Sequence, residues 1–186
     1  MDDTPEASRG GAADAGAVSV ELAPQSAREL LAGLMHFYAY DFSELEPEGS
    51  DNLDFDERGL MAPNPRLDSY WTEPGRRPLL IRVGGKPAGF ALLNLVSHLG
   101  ASLDHNMGEF FVARKHRRRG VATLALAQIL GLYPGRWEVA VLWRNKGALA
   151  FWPRAIAAAP GVSDIVEHRD DVRDWDGPVW TFTAAG

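Results

Sequence analysis

Glu109-Phe110-Phe111-Val112-Ala113-Arg114-Lys115-His116-Arg117-Arg118-Arg119-Gly120-Val121-Ala122-Thr123 joins an apolar strand, a basic turn and the start of a helix. Gly108 to Val112 reads as the strand. The helix is predicted from Gly120 to Leu132, closed by Pro134-Gly135. Backbone N–H groups at a helix N-terminus lack intrahelical acceptors, and the macrodipole favours negative charge in front of them. His116, Arg117, Arg118 and Arg119 add positive charge. Gly120 and Ala122 are small enough for the backbone to approach a phosphate closely. The pattern fits a phosphate or pyrophosphate cradle. The basic run alone would fit a solvated loop or a nucleic-acid patch equally well. There is no Walker A loop, and one glycine stands where a Rossmann fingerprint needs three.

Working outward, Val18, Val20 and Leu22 alternate as a half-buried strand ended by Pro24. Ser26 and Glu29 have capping-box spacing. Leu30, Leu31, Leu34, Met35 and Tyr38 then recur helically, predicting a helix over about 26–40. Residues 41–58 hold eight acids against Arg58, with Leu53 and Phe55 expected to anchor a short turn of helix. Leu79–Val83 and Ala88–Val96 form a hairpin about Gly84-Gly85-Lys86-Pro87. Beyond the central stretch, Trp137–Trp143 alternates as a strand. Lys146 to about Ala158 is a helix, with a kink or break expected at Pro153, and Ile165–His168 and Val179–Thr183 are the last strands.

Arg117-x-x-Gly120-x-Ala122 resembles the R/Q-x-x-G-x-G/A acyl-CoA motif of the GNAT N-acetyltransferase superfamily. Downstream, Asn145-Lys-Gly-Ala148-Leu-Ala-Phe151-Trp152 resembles the family's N-x-x-A-x-x-[LF]-Y segment. The resemblance extends over about residues 17–184 and is specific from about 106 to 156. It implies an α/β fold (α+β in some schemes): a mixed, mostly antiparallel twisted sheet, helices on both faces, and a splay between the fourth and fifth strands. It also implies acetyl-CoA as co-substrate. Pantetheine would lie along Phe110, Phe111 and Val112, and pyrophosphate on Arg117, Arg118, Arg119, Gly120, Val121 and Ala122, with Asn145, Phe151 and Trp152 beside them. An N–H near Phe111 or Val112 would polarise the carbonyl. The implied activity is transfer of acetyl to a primary amine of a small molecule or peptide by direct attack in a ternary complex. A non-catalytic acyl-CoA-binding or sensing domain is the alternative.

An ammonium must lose a proton before it attacks. Glu109 is the first candidate base; a solvent-facing or ion-paired Glu109 is the other reading, and acids of 41–58 are rivals. The family often protonates the leaving thiolate with a tyrosine where Trp152 stands, and indole cannot serve. Tyr38, Tyr40 and Tyr70 are unranked replacements. Tyr38, Tyr40 and Asp41 are the candidate acceptor-binding residues, because acids beside aromatics suit an ammonium. Asn145 has a helix-capping reading with or without cofactor contact.

The composition of the 186 residues, 46% hydrophobic and 24% charged, is ordinary for a globular domain. The absence of cysteine excludes disulfides, thiol catalysis and Cys-based metal sites. The five histidines show no metal spacing, so no metal is expected. A net charge of −6 argues against bulk nucleic-acid binding. No apolar run is long enough for a membrane span, and the N-terminus lacks a Sec-type signal. The expectation is a cytoplasmic protein with an acidic, disordered tail over 1–16 and one domain over 17–186. Its partners would be acyl-CoA and an amine acceptor, not nucleic acid or membrane. The resemblance also admits a homodimer, which is common in such proteins.

Overall fold

Seven strands form one sheet, and helices cover both of its faces. A computed structural model describes residues 16–50, 53–61, 67–169, 172 and 175–186. The expected tail, apart from Gly16, lies outside them. In chain order the elements are β1 (Val18–Leu22), α1 (Arg28–Ser43), α2 (Ser69–Thr72), β2 (Arg77–Val83), β3 (Lys86–Asn94), β4 (His105–Val112), α3 (Val121–Leu132), β5 (Gly135–Ala140), α4 (Lys146–Ala158), β6 (Val162–His168) and β7 (Val179–Ala184). The sheet order is β1-β2-β3-β4-β5-β7-β6. Every neighbouring pair is antiparallel except β4 with β5.

Strand alternation divides the core. Leu80, Phe90, Leu92 and Phe111 face α1 and α2, where Leu31, Met35 and Tyr70 cover them. Leu79, Leu93, Met107, Trp137 and Phe182 face the other way, under Leu126, Ile129, Trp152 and Ile156 of α3 and α4. Because both faces are covered, β3 is buried continuously from Ala88 to Asn94. No helix among the described residues is long and apolar enough to cross a membrane.

Several local expectations are corrected. The Ser26/Glu29 capping box does not form. Residues Gln25–Ala27 make a 3₁₀ turn, and the N-cap of α1 is Ala27, with no side-chain hydrogen bond. Leu53 and Phe55 form no helix: Leu53 sits at φ 60°, and Phe55 makes a β-bridge to Met61. The hairpin turn is only Gly84-Gly85, with Lys86 and Pro87 already in β3. Strand β5 ends at Ala140, short of Trp143. Pro153 does not interrupt α4, which runs unbroken because Trp152, Ala155 and Ile156 anchor it to the sheet around the proline.

Two features of β4 position the site. It pairs with β5 only at His105↔Trp137 and Asn106↔Glu138, so the two strands part beyond Asn106. Its pairing with β3 slips at Gly108: Glu109 opposes Leu92 while Met107 opposes Leu93. This one-residue bulge inverts the alternation and brings Asn106 and Glu109, three apart in sequence, to the α1 face. A Cβ on residue 108 would meet Asn94 Nδ2 at 2.3 Å and the Leu92 carbonyl oxygen at 3.1 Å, so glycine is required there.

Candidate active site at the parting of β4 and β5

Where the strands separate, a cavity of about 790 Å³ opens between α1 and α4. Its walls include Tyr38, Glu109, Phe110, Leu142, Asn145 and Trp152. The Ala113 N–H returns to Ala88 of β3 at 2.8 Å. By strand alternation the backbone groups of Phe110 and Val112 face the parting, and those of Phe111 face β3. The Val112 carbonyl there accepts a 2.6 Å hydrogen bond from Arg117 Nε. On the α4 side, the Phe110 ring stacks on Phe151 at 6.2 Å and meets Trp152 edge-on at 5.3 Å. Trp152 is 6% exposed and belongs to the core. The Asn145 side chain caps α4 by accepting from the Ala148 N–H at 3.0 Å, and it also lines the cavity.

Glu109 lies on the opposite wall. It accepts a hydrogen bond from the Tyr38 hydroxyl. Burial pushes its carboxyl above the ordinary range, and the Tyr38 donor opposes that shift. Burial, with the Glu109 charge adding to it, holds the Tyr38 phenol well above its usual value. Among the described residues Glu109 has no cationic partner. The ion-paired reading of this residue is therefore not what the structure displays.

The basic turn folds as a 3₁₀ segment, Arg114–His116, followed by Arg118 at φ 58° and Gly120 at φ 78°. Gly120 is the N-cap of α3, with no side-chain cap. The first helical bond is Leu124 N–H to the Gly120 carbonyl at 3.0 Å, so the Val121, Ala122 and Thr123 amides precede the ladder. A Cβ at Gly120 would meet nothing within 4 Å, so the approach is open. Val121 anchors the helix start against Ile81 and Val112. The Arg117 guanidinium is folded back onto Val112 and Asp41. The exposed Arg118 and Arg119 side chains make no ion pair among the described residues. An anion arriving at this turn would thus meet backbone amides, Arg118 and Arg119. These groups fit a phosphate-bearing ligand, while Arg117 braces the turn.

The three residues assigned to an acceptor separate. Tyr38 lines the large cavity. Tyr40 is 54% exposed and packs on Phe55 at 6.4 Å. Asp41 binds Arg114 at 2.8 Å and also Arg117, and with Tyr40 it lines a smaller hollow of about 240 Å³ outside the cavity. Sequence reasoning missed Arg76, Asn94, His98, Asn106 and Trp175, which all line the cavity. They come from strand ends and loops, where no periodicity marks them. The His98 ring lies 4.5 Å from Trp175, and burial holds its imidazole below the ordinary value against the pull of Glu138. The almost fully buried Glu138 accepts from the Ser97 hydroxyl at 2.7 Å and the His98 N–H at 2.6 Å, fastening the β3–β4 loop to β5.

A model of the acetyltransferase (GNAT) family matches residues 36–156, more than half of the chain. A sequence search of curated proteins finds no match. Among solved structures, an acetyltransferase from Thermus thermophilus is similar with a TM-score of 0.63 and 16% identity, over 92% of this chain and 99% of that one. PaiA N-acetyltransferase from Thermoplasma acidophilum, in complex with coenzyme A, aligns with a TM-score of 0.57 and 7% identity, over 89% and 98%. Spermidine N-acetyltransferase from Vibrio cholerae, in complex with CoA and spermine, gives 0.53 and 12%, over 89% and 94%. At these identities the likeness establishes the fold, and the sequence match establishes membership: the chain belongs to the GNAT acetyltransferase family.

Proposed function

We propose that this protein transfers an acetyl group from acetyl-CoA to a primary amine within a ternary complex. The observation that carries the reading is the arrangement along β4. Its open edge leads from the uncapped α3 N-terminus, suited to pyrophosphate, to a buried carboxylate that no cation neutralises among the described residues. Acetyl-CoA supplies the thioester. The Val121, Ala122 and Thr123 amides with Arg118 and Arg119 would hold its phosphates, and the free edge at Phe110 and Val112 its pantetheine. The apolar wall of Phe110, Phe151 and Trp152 excludes water.

Glu109 takes a proton from the acceptor ammonium, aided by burial that raises its basicity. The amine nitrogen then forms a bond to the thioester carbon. The C–S bond breaks, the attacking nitrogen sheds its extra proton to leave a neutral amide, and the departing thiolate takes up that proton to give the free thiol. The Phe110 and Val112 N–H groups, facing the parting, are the donors placed to steady the carbonyl oxygen.

The test is calorimetric titration with acetyl-CoA and CoA, followed by thiol-release assays over a panel of primary amines. Binding that Gly120→Glu abolishes, with amine-dependent thiol release that Glu109→Gln suppresses, is expected. No CoA binding refutes the cofactor reading; binding without release for any amine refutes the transferase reading.

A further inference from the structure

We propose that the acceptor is an amine with an oxygen acceptor beside its amino group, an α-amino acid or its amide: the nitrogen at Glu109, the oxygen at Arg76 and the Tyr70 hydroxyl. The inference rests on the transferase reading and names its second substrate.

The cavity has two chemical poles. At one, Glu109 is a carboxylate whose hydrogen-bond partner is the Tyr38 hydroxyl and which has no cation near it among the described residues. The cavity's other carboxylate among the described residues, Glu46, is already paired with Arg144 at 3.5 Å. At the other pole Arg76, its side chain 14% exposed, lines the cavity with its guanidinium 5.1 Å from the Tyr70 ring centroid. Its Nε is paired with Glu73 at 2.6 Å, and the Tyr70 hydroxyl is its other neighbouring partner, so the guanidinium face that lines the cavity sits beside that hydroxyl.

Tyr70 joins the poles, and its hydroxyl direction can be worked out. The Val96 N–H can only donate, and it does so to Asn94 Oδ1 at 2.8 Å. That fixes the Asn94 amide, so Nδ2 is the atom 3.3 Å from the Tyr70 oxygen. Asn106 Nδ2 donates to the same Asn94 Oδ1 at 3.0 Å and locks the arrangement. The Tyr70 oxygen therefore accepts from Asn94, and its proton remains to be donated into the cavity. Tyr70 lines the same cavity as Arg76 and Glu109.

A donor hydroxyl beside a guanidinium suits a carboxylate or carbonyl oxygen. It offers a second ammonium only donors and no acceptor, so this end does not suit a diamine. Phe42, Leu53 and Trp175 leave apolar wall for a side chain.

The test uses a matched series: L-leucine, L-leucinamide, 3-methylbutylamine and 1,5-diaminopentane. CoA binding is measured first in each preparation, and also checks that variants are folded. With CoA bound, thiol release should favour leucine or leucinamide over 3-methylbutylamine by at least about tenfold in kcat/KM, with the diamine no better than the monoamine. Leucine ahead of leucinamide assigns a free amino acid; the reverse order assigns an amide such as a peptide N-terminus. Arg76→Gln should collapse the leucine-to-3-methylbutylamine ratio toward one, and Tyr70→Phe should reduce it. Equal rates across the series, preference for the diamine, or an unchanged ratio in Arg76→Gln overturns the proposal while leaving the transferase reading intact. If CoA does not bind, the transferase reading fails, and the series is titrated into the protein alone. Leucine or leucinamide binding that Arg76→Gln erases then still supports the site, and its absence overturns it.

Discussion

Replacing Tyr38 by Phe removes one oxygen and, with it, the hydrogen-bond donor of Glu109. The phenyl ring keeps its edge contacts with Phe90 and Phe111 at 5.7 and 6.0 Å, so packing changes little. A hydrogen bond to a charged group stabilises by roughly 1.5–3 kcal/mol. The protonated carboxyl does not need that donor, so the loss falls on the ionised base. At 1.36 kcal/mol per tenfold, the ionised fraction on the acidic limb of the pH–rate profile drops about 10- to 150-fold. At alkaline pH, where Glu109 is ionised in both proteins, the difference shrinks. The assay is kcat/KM for the best amine of the panel, measured from about pH 5 to 9 with saturating acetyl-CoA. The variant-to-wild-type ratio at each pH cancels the ionisation of the amine itself. The acidic limb should move to higher pH. A loss uniform across pH, or no loss, would refute Tyr38 as the group that keeps Glu109 ionised.

Burial holds the Glu109 carboxyl above its ordinary value, so the folded protein retains a proton that the unfolded chain has released, and stability falls as pH rises through that interval. The melting temperature of Glu109→Gln, relative to wild type, should therefore climb from the ordinary carboxyl range upward and then level; a constant gap from about pH 4 to 8 counts against this. Gly108→Ala should destabilise by about 1–3 kcal/mol in urea unfolding, since its Cβ must displace Asn94 and the Leu92 carbonyl; wild-type stability would show that the bulge accommodates a methyl. Gly120→Ala meets open space but a φ of 78°, so a backbone cost of roughly 1–2 kcal/mol is expected, along with weaker CoA binding by calorimetry. Trp152→Ala should cost about 3–5 kcal/mol, because its indole fills the α4 face of the core; a loss below about 1 kcal/mol would mean that the ring is peripheral.

What the sequence revealed and what it concealed follow from the range of the forces involved. The strand at Val18–Leu22, half-buried at Val18 and Val20 though not at the exposed Leu22, and the apolar runs of β2, β3 and α3 are local patterns that the structure retains. The turn into α3 at Gly120 was legible because its parts are contiguous: basic turn, glycine and helix start. Asn145 as a cap was legible for the same reason. The Ser26/Glu29 box failed because a 3₁₀ turn shifted the start of α1 past the serine. Pro153 misled because its local penalty was outweighed by tertiary packing of Trp152 and Ile156. In the sequence Tyr70 is only one of three tyrosines that could replace the acid, and its meeting with Arg76 was hidden. It joins a one-turn helix to the ends of two strands through Asn94 and Asn106, and no spacing in the chain encodes that meeting.

The two residue pairs joining β4 to β5 also make a mechanical statement. The ladder of this seven-stranded sheet narrows at its middle to His105↔Trp137 and Asn106↔Glu138. Strands β1 to β4 and the trio β5, β7 and β6 thus meet along a short seam, stitched from the side by the Ser97 and His98 bonds to Glu138. Any molecule lodged in the parting would touch both halves and act as a tie across it. Its free energy of binding would then appear chiefly as slowed amide exchange in Phe110, Val112 and the facing end of β5, rather than evenly over the domain.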